Sequence, residues 1–159
     1  MAFLLAVFKR VFQPVAGNLV AQDRLGSGLS HRVDNEEDLA RFLTSSSHFN
    51  FTTVKPAAFL PKDEETSVFR HGAEPRLQLW QTAEENLKLP EGRKCHGAAI
   101  IKAYSVRTSR LDIIAEEPPP RHANIKRWPL LDDPSMQRAK RREIAQELAS
   151  NAVLLKRDA

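Results

Sequence analysis

Five histidines, one cysteine and a late cluster of arginines and lysines are the residues of this chain whose types suit chemistry. The basic set is Arg121, Lys126, Arg127, Arg138, Lys140, Arg141 and Arg142. A guanidinium presents a planar fork of donors that matches phosphate or carboxylate oxygens, so an arginine with no internal partner is a natural anion binder. From Pro118 to Ala159 there are nine Lys/Arg against five Asp/Glu, and the residues before them hold fifteen of each. The net charge of +4 therefore belongs to the C-terminal quarter and marks a local patch. An acidic protein surface or a nucleic-acid backbone is the partner such a patch fits.

Four of the histidines, His48, His71, His96 and His122, fall at or near predicted strand ends, where a small sheet can bring side chains together. His122 beside Arg121, and His48 beside Ser45 to Ser47, are the candidate acid/base groups. No metal site is expected. The spacing matches no ligand signature, and the neighbours Cys95 and His96 would point to opposite faces of a strand. No Gly-x-Ser-x-Gly elbow, no dinucleotide-binding glycine motif and no phosphate-binding loop is present, so no cofactor is expected.

The stretch Pro118 to Pro129 concentrates stiff and chemically capable residues. Three consecutive prolines predict an extended polyproline arm over Glu116 to Pro120, ending on Arg121 and His122. Trp128, held by Pro129, is read either as a plug in the core or as part of a binding surface with Arg121, His122, Lys126 and Arg127. Downstream, Asp133-Pro134 starts an amphipathic helix whose apolar face is Ile144, Ala145, Leu148, Ala149 and Ala152, with Asn151 closing it in the left-handed region. At about 100° per residue, Arg141 projects onto that apolar line with Arg138 beside it. Arg142 completes the helix's basic half. Such an arginine could reach the domain edge and hold an anion, or pair with Glu116 or Glu117.

The elements before this stretch complete an α+β pattern. Asp34 to Asp38 has the form of a helix start, with Asp34 as cap and Glu37 reaching back, and that helix would end near Leu43. Val54 to Leu60 and Thr66 to Arg70 read as a hairpin with a long polar loop. Pro75 opens a helix marked by Leu77, Trp80, Ala83 and Leu87. Cys95 to Lys102 is a buried strand whose Gly97 and Ala98 admit close backbone approach. Ala103 to Arg110 makes one or two helical turns, and Leu111 to Ala115 and Val153 to Leu155 are further strands. The expected architecture is a small mixed sheet of four to five strands, two main helices and the C-terminal amphipathic helix.

One cysteine excludes an internal disulfide framework and suits a reducing, cytoplasmic setting. Met1 to Val15 has eight apolar residues before Lys9-Arg10 at most, short of the about 20 that a membrane-spanning helix needs. Met1 to Val15 reads first as a segment that packs on the domain, frays or lies outside the functional unit, with attachment to a membrane surface as an amphipathic helix the less favoured alternative. Residues 1–30 read as an apolar segment and Gly-rich linker, and residues 31–159 as one compact domain.

Three runs carry a resemblance. Arg41-Phe42-Leu43-Thr44-Ser45-Ser46-Ser47-His48-Phe49, Glu65-Thr66-Ser67-Val68-Phe69-Arg70, and Pro118 to Pro129 followed by a Leu/Ala-rich helix resemble a group of small hypothetical bacterial proteins. The likeness spans about Leu39 to Leu155. It implies a bacterial cytoplasmic origin and carries no activity with it. The functional expectation is a binding or regulatory protein that holds an acidic partner through Arg121 to Trp128 and the helix arginines. The alternative is a small hydrolase or transferase on a phosphate-bearing substrate, with His122 or His48 as acid/base and Arg121 or Arg141 holding the anion.

Overall fold

Among the described residues, 24–72 and 74–157 of the computed structural model, the chain forms six strands and three α-helices. They are β1 (Asp38–Leu43), β2 (Thr66–Arg70), α1 (Arg76–Asn86), β3 (Gly97–Lys102), α2 (Ala103–Thr108), β4 (Asp112–Ala115), β5 (His122–Lys126), α3 (Pro134–Asn151) and β6 (Val153–Lys156). The strands form one sheet in the order β4-β5-β2-β1-β3-β6, and every pairing is antiparallel. The α+β class is as expected. The sheet is larger than the expected four to five strands, because Asp38–Leu43, read as helix, and His122–Lys126, read as part of the stretch after the proline arm, are both strands.

The first of these is β1. The local signals at its start are realised without a helix: Glu37 accepts from the Asp34 N–H at 2.8 Å, and Asp34 accepts from the Glu36 N–H at 2.9 Å. These bonds close a turn. The chain then extends because Leu39 and Leu43 are buried on one face while Ala40 and Phe42 are buried on the other. A strand buried on both sides shows no alternation, so its period resembles that of a short helix. The expected hairpin also changes. Val54 makes only an isolated bridge to Phe49, and Pro56–Ala58 form a 3-10 turn under α3. Pro56 has no N–H to give a ladder and fits the first helical position instead. β2 pairs with β1 and β5 rather than with a local partner.

The helix-covered face of the sheet carries Leu39, Leu43, Val68, Ile101, Ile113 and Ile125, packed against Ile144, Ala145 and Leu148 of α3. α3 begins as the sequence implies: Asp133 accepts from the N–H groups of Ser135 and Met136 at 2.7 and 3.1 Å. It ends differently, with Asn151 still helical and Ala152 extended as the cap. The second face is covered by α1 through Leu79 and Ala83, which pack on Ala40, Phe42, Phe69 and Ala98. Close approach at Gly97 is real: a Cβ there would stand 2.3 Å from the Leu155 carbonyl oxygen of β6.

The polyproline arm is instead the turn of the β4–β5 hairpin. The His122 N–H donates to the Pro119 carbonyl at 3.1 Å, and the Glu116 N–H to the His122 carbonyl at 3.0 Å. The Glu117 carboxylate ties this turn to residue Ser27, accepting from its N–H at 2.9 Å and from its hydroxyl, and takes the Arg121 N–H at 2.7 Å. No helix of the described residues is long and apolar enough to cross a membrane. The Met1 to Val15 segment lies outside the described residues.

Candidate functional site

Antiparallel pairing of β2 with β5 sets Phe69 opposite His122 and Ser67 opposite Asn124. Side chains alternate along each strand, so Ser67, His122, Asn124 and Lys126 share one face beyond the region that α1 covers. There the Ser67 hydroxyl lies 2.9 Å from His122 Nε2, and His122 Nδ1 lies 2.9 Å from the Glu116 backbone carbonyl oxygen. A carbonyl oxygen only accepts, so Nδ1 bears a hydrogen in this contact, and in the neutral form of the ring Nε2 is the atom left to accept from the Ser67 O–H. The Phe69 ring meets the imidazole edge-on at 5.4 Å between centroids. Both polar residues are half-buried.

Around this pair the charges are balanced within the chain. Lys126 pairs with Glu65 at 3.3 Å and with Glu116. Its bond, followed by that of Asn124 at 2.8 Å, holds Glu116 below the ordinary glutamate range; Glu116 in turn raises Lys126. Asn124 is buried, and its amide N–H groups go to Glu65 and Glu116, leaving Oδ1 sealed without a donor.

The other expected site residues do not gather here as a free cationic surface. Arg121 turns through the left-handed region at φ 68°, pairs with Glu74 and donates to the Arg70 carbonyl at 3.1 Å. Arg127 is exposed and sits 3.6 Å from Asp112. Trp128 is buried in the core. Arg141 is half-buried and donates to the Pro129 carbonyl at 3.0 Å, not to Glu116 or Glu117. Arg138 and Arg142 stand exposed, one turn apart, and Lys140 pairs with Glu143 on another flank of α3.

His48 is not brought to a serine. Ser45 and Ser47 bond each other at 2.8 Å, while His48 Nδ1 is sealed without a partner. Burial, then the charges of Arg41 and His96, hold His48 below the ordinary value of 6.5. His71 is lowered chiefly by burial. Cys95 is buried, its thiol raised by that burial. Among the described residues no group of three His, Cys, Asp or Glu side chains is placed to hold a metal.

Two residues that sequence reasoning passed over are central. Ser67 shares a face with Phe69 in the β2 alternation, but its partner His122 comes 55 residues later. Arg41, on β1, donates through Nε to the Ala58 carbonyl at 2.8 Å and through Nη1 to the Ser67 carbonyl at 3.0 Å. It read as part of a helix that does not form.

The chain matches no family model, no curated protein and no solved structure.

Proposed function

We propose that the chain is a small hydrolase or transferase in which Ser67 is the nucleophile and His122 its general base. The observation that carries this reading is the relay from the Glu116 carbonyl through the His122 ring to the Ser67 hydroxyl. A hydroxyl is a weak nucleophile until a base takes its proton, and the base works best when a third group fixes its tautomer. Here Ser67 Oγ attacks an ester carbonyl or phosphoryl centre while its proton passes to His122 Nε2. The imidazolium so formed keeps its Nδ1–H bond to the Glu116 carbonyl and lies within reach of the Glu116 carboxylate charge. It returns the proton to the departing oxygen. Water, or an acceptor hydroxyl in a transferase, then releases the covalent intermediate through the same base.

The test is a pair of substitutions assayed against a panel of carboxylic and phosphoric esters. Ser67→Ala and His122→Ala should each fold and lose turnover by about 100-fold or more. Unchanged turnover in His122→Ala would end the reading.

A second reading, binding of an acidic partner, is favoured by a groove of about 630 Å³ between the α2–β4 turn and α3. Arg110, Arg127 and Lys140 line it with Leu131, and Glu143 and Glu147 line it too. The mixed signs suit an acidic protein segment better than a nucleic-acid backbone. Affinity for such a segment that does not fall as salt rises would count against this reading. Under either reading we place the protein in a reducing cytoplasm, in keeping with its single buried thiol.

A further inference from the structure

The ladder between β1 and β2 is short. It pairs Leu39 with Arg70 and Ala40 with Phe69, after which β1 continues along β3 and β2 along β5. The Arg41 side chain bridges the opening, giving Nε to the Ala58 carbonyl and Nη1 to the Ser67 carbonyl. Among the described residues Nη2 makes no hydrogen bond, and Arg41 has no carboxylate partner. Nor is Nη2 sealed in the interior. A cavity of about 260 Å³ opens at this point, lined by Arg41, Lys62, Ser67 and Asn124. Of its two carboxylates, Glu65 is engaged by Lys126 and Asn124, whereas Asp63 stands on an exposed turn with no ion pair among the described residues.

We propose that this cavity receives the phosphoryl group of a phosphate-bearing substrate, with Arg41 Nη2 as its principal donor and Lys62 at its mouth. The proposal rests on the Ser67–His122 reading for the reaction, and it names the substrate class and the residue that selects it. A guanidinium held largely out of water without an acid is costly, and burial lowers the Arg41 pKa for that reason. An oxyanion would complete the pair with the charge-assisted bonds that arginine makes best. The charge of Arg41 already bears on its surroundings, acting after burial to lower the His48 pKa. Ser67 contributes its carbonyl to Arg41 and lines the same cavity, so a phosphoryl group held there lies against β2 at Ser67.

The test is titration of the full chain with inorganic phosphate and phenyl phosphate by calorimetry, against sodium chloride at matched ionic strength. Saturable binding is expected in the native chain, with about tenfold or greater weakening in Arg41→Gln. Should Arg41→Gln fail to fold, Arg41→Lys decides, because it keeps the charge and loses the fork. Phosphate binding that is equal in the native chain and the Arg41 variant, or no saturable binding to the native chain, overturns the proposal. Binding that persists while Ser67 proves inert leaves this site standing and removes the nucleophile reading. The converse result removes only the phosphate site.

Discussion

Arg70 and Arg41 occupy neighbouring strands, and both are withdrawn from solvent, yet their surroundings differ in kind. Arg70 spends its donors inside the chain: Nε and Nη2 reach the two Glu37 oxygens at 2.7 Å each, and Nη1 reaches the Ser30 carbonyl at 2.5 Å. It locks the segment before β1 onto β2. Arg41 meets only two carbonyls and faces a cavity. A fully engaged buried charge is structure, whereas one short of an acid and open to a cavity is available to a ligand. The same contrast separates Arg121 and Lys126, which Glu74, Glu65 and Glu116 neutralise, from the Ser67–His122 pair beside them.

The largest expected effect is at the lock. Glu37→Gln leaves the Arg70 charge buried without its acid and should cost about 3–5 kcal/mol of stability by urea denaturation. Arg41→Gln should cost less, about 1–2 kcal/mol, because it deprives two carbonyls of a donor but also removes a charge with no acid partner. Equal losses at the two sites would erase the distinction.

Acid sharpens the same comparison. Burial acts to raise the Glu37 pKa, but the bonds from Arg70 and the Asp34 N–H outweigh it and leave it below its ordinary value of 4.5. A carboxylate lowered by folding contributes stability above its unfolded pKa and loses it as pH falls through the folded one. The gap between the native chain and Glu37→Gln should therefore narrow as pH drops below 4.5. The Arg41→Gln gap should stay flat over that range, and a parallel narrowing would show that Arg41 depends on an acid after all. The smallest effect belongs to the rim. Arg127 is 76% exposed and 3.6 Å from Asp112, and Arg127→Ala should change stability by no more than about 0.5 kcal/mol in thermal melts.

What the sequence showed was what depends on near neighbours. Asp133-Pro134 starts α3, Pro75 precedes α1, and Gly97 marks the close approach to β6. What it hid depends on distant pairing. β1 was misread because Leu39, Ala40, Phe42 and Leu43 are buried on opposite faces, a fact set by β2 and β3 and not by local propensity. The proline run was read as an arm because the pairing of β4 with β5 that makes it a turn is not written in the prolines, and the tie from Glu117 to Ser27 spans some ninety positions. His122 was legible as a candidate by type, but Ser67 was not, since no spacing rule links a strand residue to a histidine four elements beyond the next helix. The basic patch was visible as composition, and only the fold shows how much of it is paired internally.

The most direct test of the Ser67–His122 account is covalent labelling of the native chain with a fluorophosphonate probe, mapped by peptide mass spectrometry alongside His122→Ala. The account expects one adduct, on Ser67, formed in the native chain and lost when His122 is replaced although the variant remains folded. Labelling of Ser67 that persists without His122, or no adduct on Ser67 in the native chain, would contradict it.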